Sequence, residues 1–434
     1  MDRFTRSPVA EDVSRRARPL RGAGDLDPLL DAAREKHFVA IGEASHGTHE
    51  FYEWRAVVSR RLIEELGFTW IGVEGDWPDC WRVNRWVRGF DDQHLDARAV
   101  LESFERWPTW LWANEETAEF LDWLRAVNLT RELPDRVGFY GLDVYSLWDS
   151  LARIFAWLGR YSPGDMPAAL RAWQCFAPFT GDPEGYAWNT RLVPTSCEPD
   201  VVALLAAVRR SIGTGAFDAA FDARQNAEVA VGAERYYRAM VRTDRGSWNI
   251  RDIHMTDTID RITQHLGPES KGIVWEHNTH VGDARATSMR GEGLVNVGQL
   301  LRERHHADGV LLVGAAGHRG TVVAAEAWGS TNHEFAVPDA RPGTHEDVLH
   351  GALGDRALVI FDGDRATPWL RERRGHRAIG VVYDPDRESG NYVPTVMGER
   401  YDALLWFEET TALHPLRPEP TPAEPEYETE PSGY

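Results

Sequence analysis

A chain of 434 residues has room for about three domains or for one large α/β domain with an insertion, and its 42% hydrophobic and 27% charged content excludes a collagen-like or wholly disordered chain. Its 48 Lys and Arg against 68 Asp and Glu leave a formal charge of −20, which disfavours nucleic acid and anionic membranes as partners and points to small molecules. Three cysteines, Cys80, Cys175 and Cys197, form neither the even set nor the close pairs of a disulfide framework or a zinc site, so a reducing cytoplasm is expected.

The first residues, 1–25, read as an N-terminal arm: they carry charge with no apolar run behind it, and no later stretch reaches the roughly 18 apolar residues of a spanning helix. Runs rich in Val, Ile and Phe at 38–42 and 70–74 read as buried strands. Between them Phe51, Trp54, Val58, Leu62 and Leu66 recur at steps of three and four, opened by Thr48 and closed by Gly67, which is an amphipathic helix. Strand, helix and strand in succession make a βαβ unit. Further strands are expected at 137–143, 272–276, 310–314, 357–362 and 378–384, with a helical stretch carrying Met255, Ile259, Ile262 and Leu266 before the Gly267-Pro268 break. The fold class that follows is α/β, a mainly parallel mixed sheet flanked by helices, with its core in two parts, 26–145 and 246–412. Residues 146–245 show no strand but helical stretches at 146–160, 199–212 and 219–242, read as a helical insertion that forms a lid or cap, or else an extra packing layer. From 413 to 434 Pro415, Pro418, Pro420, Pro422, Pro425 and Pro431 alternate with Glu, a composition that reads as a disordered tail.

The ionisable residues gather at strand ends. Glu43 and His46 stand in Gly42-Glu43-Ala44-Ser45-His46-Gly47, Glu74 and Asp76 end the second strand, Asp143 the third, and Glu276-His277-Asn278-Thr279-His280 the fourth. Ligands of open α/β sheets bind at the carboxyl ends of the strands, so four such ends imply one shared pocket. Each piece also has a structural reading: Glu43 and His46 suit a helix-entry turn, and a satisfied core histidine suits His277 or His280. Glu74 resists that reading, because a carboxylate ending an apolar strand is costly unless paired. Arg55, beside Trp54 on the first helix, is placed to reach such a carboxylate, and Arg251 and Asp252 pose the same choice, a surface arginine being the alternative. Gly314, Gly317 and Gly320 lack the lysine of a phosphate loop and read as a tight turn, with His318 and Arg319 as minor pocket candidates. Ser45 misses the nucleophile-elbow spacing by one residue, and Cys80, with no histidine beside it, reads as a buried structural thiol.

Taken together, the Gly42–Thr48 turn, the Arg55 helix, Val73-Glu74-Gly75-Asp76 and Trp275-Glu276-His277-Asn278-Thr279-His280-Val281 resemble the erythromycin esterase-like family, over about residues 30 to 410. The resemblance implies an ester or lactone hydrolase acting on a small molecule without metal or cofactor. By the same resemblance His46 is the general base that activates water, Glu43 its partner, and Arg55, Glu74, His277 and His280 the other catalytic positions. That assignment is chemically coherent: a neutral imidazole takes a proton from water near pH 7, a carboxylate orients it, and a second histidine or Arg55 stabilises the oxyanion or protonates the leaving alkoxide. Asp76, Asp143, Asn278 and Arg251 are expected to contact substrate. Two other readings stay open: Glu43, His46, Glu74 and His280 as ligands of a hydroxide-generating divalent metal, and a pocket that binds a small apolar molecule without turnover. A macrolactone, a smaller lactone, an acyl ester and a polysaccharide-linked ester all suit the motif.

Overall fold

The computed structural model describes residues 8–91, 96–193, 196–212, 217–241, 244–306, 309–361 and 367–418. The architecture is of the expected class, a mixed, mostly parallel sheet flanked by helices. Among the described residues the strands are β1 Ala17–Pro19, β2 Phe38–Glu43, β3 Trp70–Asp76, β4 Gly138–Asp143, β5 Gly272–His277, β6 Val310–Ala325, β7 Asn332–Val337, β8 Arg356–Ile360, β9 Arg373–Arg377, β10 Tyr392–Val396 and β11 Ala403–Thr410. The chain divides into two compact units, one of Met1–Ile71, Trp86–Gly138 and Glu269–Tyr434, the other of Gly72–Arg85 and Phe139–Pro268.

In the first unit the strands run β1-β8-β11-β6-β2-β5, with β7 on the far part of β6. β2 is parallel to β5 and β6, and β11 to β6, whereas β1, β7 and β8 pair antiparallel. Every residue of β2 is buried, which is why it reads as an unbroken apolar run rather than an alternation. The helix His49–Glu65 buries Phe51, Trp54, Val58 and Leu62, and Gly67, at φ +70°, reverses the chain after it as the sequence indicated. Gly47 meets β6 edge-on: it accepts the Val323 N–H at 2.9 Å, and a Cβ there would stand 1.8 Å from the Val323 carbonyl oxygen.

Three expectations are corrected in this unit. The strand begun at 310 continues to Ala325, so Gly314, Gly317 and Gly320 form no tight turn; they lie where Tyr401, Leu404 and Thr410 pack closely on the strand. Residues 378–384 form no strand: Ile379 and Val382 make isolated bridges to Ser45 and Ala325, because Gly380 and the Asp384-Pro385 break leave the apolar run buried but irregular. His414 to Arg417 are held against the unit by hydrogen bonds from His414 to Glu116 and from Arg417 to the Glu102 carbonyl. The rest of the expected tail, 419–434, and Asp362 lie outside the described residues.

The second unit joins β4 and most of β3 to the helices Leu147–Tyr161, Met166–Phe176, Pro183–Leu192, Glu198–Ser211, Phe217–Met240 and Asp244–Leu266. Residues 242–243 lie outside the description. Met166–Phe176 and Pro183–Leu192 escaped the sequence reading, since Pro163-Gly164 and Gly181-Asp182-Pro183 cut the apolar period into pieces shorter than a helix signature. The six helices share an apolar core that includes Leu151, Ile154, Leu158, Leu204 and Val208. Contrary to the cysteine count, Cys175 and Cys197 form a disulfide, closing a 22-residue separation between two helices, and the argument for a reducing compartment falls with it. Helix packing brings these two together, which spacing along the chain does not show. No helix among the described residues is long and apolar enough to cross a membrane.

Gly47→Ala is expected to destabilise the protein by about 3 kcal/mol in urea unfolding, because backbone must shift, whereas Gly291→Ala, with nothing within 4 Å of the added methyl, changes little. Protein purified without reductant should titrate one thiol when denatured, Cys80, and three after reduction.

Candidate active site

In the first unit β2 delivers Glu43 to the sheet's carboxyl end, and the turn after it folds His46 back. Glu43 uses both oxygens: Oε1 accepts from His46 Nδ1 at 2.8 Å and Oε2 from Arg55 Nη1 at 2.9 Å. Arg55 is 1% exposed, and its guanidinium carbon lies over the rings of Tyr52, Trp275 and Trp112 at 4.1, 4.7 and 5.3 Å. Its Nε and Nη2 have no hydrogen-bond partner among the described residues, so the aromatic faces and the Glu43 carboxylate together compensate its desolvation. Trp275 is fixed in turn by its Nε1–H donating to Ser59 Oγ at 2.9 Å. Because a carboxylate only accepts, a neutral His46 carries its proton on Nδ1 and offers the Nε2 lone pair.

The register places His277, at the end of β5, opposite Glu43. Its ring centre lies 4.8 Å from that of His46, with the planes inclined by 34°. His277 Nδ1 caps the short helix Asn278–Val281, accepting the Thr279 backbone N–H at 3.4 Å and lying 2.8 Å from Thr279 Oγ1. An accepting Nδ1 puts the proton of a neutral His277 on Nε2, so the two neighbouring imidazoles take opposite tautomers, one suited to accept a proton and one to donate. His280 is buried in the same short helix.

Asn278 is buried and commits its side-chain amide to the backbone of β6, donating to the Ala315 carbonyl at 2.8 Å and accepting its N–H at 3.2 Å. Gly42 is required beside it, since a Cβ would stand 2.3 Å from Asn278 Oδ1. Behind it His376 lies within 3.5 Å, its Nδ1 bonded to Glu346 at 2.6 Å. Burial pushes the Glu346 carboxyl up, but His376 and Arg377 outweigh it and hold it at about 2.

The second unit contains the other group. Arg251 Nη2 donates to Glu74 Oε1 and to Asp143 Oδ2, each at 2.8 Å, and its Nε to Asp143 Oδ1 at 3.1 Å. All three side chains are buried, and the guanidinium lies 5.0 Å from the Tyr145 ring centre. The partner that the strand-end position of Glu74 demands is therefore Arg251, whose forked donors match Asp143 at both oxygens. Asp76 is buried at the end of the same strand. Burial, followed by the charges of Asp79, Asp76 and Asp143, pushes the Cys80 thiol well up, which fits a structural thiol.

Thus Glu43, His46, Arg55 and His277 meet in the first unit, and Glu74, Asp143 and Arg251 in the second. His318 stacks on His350 at 3.9 Å, and Arg319 pairs at the surface with Asp339 at 3.4 Å. What the sequence reading missed is the aromatic seat of Arg55: Tyr52 lies one helical turn before it, a legible signal, but Trp112 has none.

The family described as erythromycin esterase matches residues 63–410, beginning downstream of the Glu43 turn. An erythromycin esterase type II from Escherichia coli is 29% identical over 120 residues, which are 28% of this chain and 26% of that protein's length. A putative hydrolase, YbfO, from Bacillus subtilis is 20% identical over 430 residues, covering 92% of this chain and 90% of its own. Two solved structures share the fold: a protein from Bacillus cereus (TM-score 0.80, 19% identity, 94% of this chain and 98% of that one) and a mutant of the erythromycin esterase EreC in its open conformation (TM-score 0.62, 17% identity, 90% and 94%).

Arg55→Ala strands the buried Glu43 carboxylate with one countercharge fewer and is expected to cost about 3 kcal/mol of stability. Adding Glu43→Gln should recover about 2 kcal/mol of that loss, read from a double-mutant cycle of urea midpoints.

Proposed function

The chain belongs to the erythromycin esterase family, and on that premise we propose that it hydrolyses an ester or lactone bond of a small molecule with water activated by His46. The observation that carries this reading is the buried relay of Arg55, Glu43 and His46, set beside a second imidazole of opposite tautomer. In the proposed reaction His46 Nε2 removes a proton from water as its oxygen attacks the acyl carbon. Glu43 holds the imidazole in place and supports the imidazolium that forms, while Arg55 balances the carboxylate's charge. His277 Nε2–H, or His280, donates to the oxyanion as it develops. Collapse of the tetrahedral intermediate breaks the C–O bond, and the proton held by His46 passes to the leaving alkoxide. Asn278, whose amide is committed to Ala315, is in this reading a brace.

The same geometry disfavours a metal at Glu43. Both its oxygens are engaged, one by a guanidinium 2.9 Å away that would repel a divalent cation. The similarity to an erythromycin esterase and to a putative hydrolase supports the reaction class.

Against a panel of macrolides, simple lactones and acyl esters followed by mass change, at least one compound should be hydrolysed. His46→Ala should lower kcat for it by about a thousandfold, and Glu43→Gln by about a hundredfold. Retention of most activity by His46→Ala would refute the assignment of the base.

A further inference from the structure

Outside this group, three donor side chains from distant segments converge at one point of the first unit. His49 opens the helix His49–Glu65, Glu116 lies in the first turn of the helix Glu115–Leu129, and His414 follows β11. Both imidazoles aim Nδ1 at the same oxygen, Glu116 Oε1, each at 2.6 Å. Their rings stand 80° apart with centres 5.4 Å apart. All three ligand atoms lie within 4.8 Å of one another. We propose that His49, Glu116 and His414 bind a divalent transition-metal ion, zinc in the first instance, as a structural staple.

The chemistry of the donors selects the ion. Two imidazoles and one carboxylate suit zinc, cobalt, nickel or copper, whereas calcium and magnesium require an oxygen-rich shell. Ligand atoms about 2.0–2.1 Å from a tetrahedral zinc stand about 3.3 Å from one another, so each nitrogen need retreat from Glu116 by only about 0.7 Å. His414 can make that movement, since its side chain is 63% exposed.

The backbone is already in place for such a site. Glu50 accepts the Thr411 N–H at 2.8 Å and lies 3.0 Å from its hydroxyl, His49 N–H donates to the Thr411 carbonyl at 2.9 Å, and Glu115 N–H to the His414 carbonyl at 2.9 Å. Binding therefore does not bear the cost of ordering the segment. Two helix N-termini turn their positive ends this way, and the carboxylates of Glu116, Glu50 and Glu53 oppose them. In the metal-free protein each Nδ1 donates its proton to the Glu116 oxygen, so the ion must displace a proton there. Bound metal would tie the segment after β11 to the helix that begins three residues beyond His46.

The test uses the untagged full chain, stripped by chelator and titrated with Zn2+ and Co2+ against a chromophoric competitor. Wild type is expected to bind one equivalent with a micromolar or tighter Kd and to gain thermal stability. His414→Ala and His49→Ala, folded by circular dichroism, should each weaken binding about a hundredfold and lose the thermal shift. X-ray absorption of the zinc-loaded wild type should show two imidazole ligands, which keeps the test decisive if a variant fails to fold. No binding by wild type, equal binding by His414→Ala, or loss of the ion in His46→Ala instead would each overturn the proposal.

Discussion

The ion pair between Arg55 and Glu43 is the constraint around which the first unit is arranged. A carboxylate at the end of a fully buried strand has lost its water, and a lone carboxylate in that setting costs several kcal/mol. Arg55 supplies the countercharge, but it is itself almost wholly buried and, among the described residues, hydrogen-bonded through Nη1 alone, so it needs the faces of Tyr52, Trp112 and Trp275. Trp275 sits on β5 two residues before His277, so the strand that seats the arginine also carries the second imidazole. The glycines follow from the same crowding: Gly42 makes room for Asn278, and Gly47 for the backbone of β6.

The second unit meets the same physical problem with Glu74 and Asp143 and meets it the same way, with one buried guanidinium, here Arg251. There two carboxylates share one arginine, whereas Glu43 and Arg55 pair one to one. The polar group of Asn278, His376 and Glu346 places hydrogen bonds on the backbone of β6 and on the Arg377 N–H, which helps hold the position of the β5 end.

How much was legible differs residue by residue. Glu43, His46 and Arg55 lie within 13 residues, three apart and then on the following helix, so local geometry alone brings them together. Glu74 carried half its explanation in the sequence, the cost of a buried charge, but its partner lies 177 residues away and no periodicity connects them. The disulfide and the His49, Glu116 and His414 cluster were invisible for the same reason. The apolar run at 378–384 was legible as buried and misread as a strand, because burial depends on composition whereas strand pairing depends on which neighbour has free backbone groups.

By itself the sequence determined what acts over short range: strands whose burial on both faces shows as unbroken apolar runs, a helix whose period and terminal glycine mark its extent, and a strand-end turn whose spacing sets an imidazole on a carboxylate. The tertiary structure alone decided which distant charges neutralise one another, which cysteines pair and which histidines face one oxygen. The physical reason is range: propensity and periodicity act within a few residues, whereas the partner of a buried charge is chosen by how strands and helices pack, which links positions hundreds of residues apart.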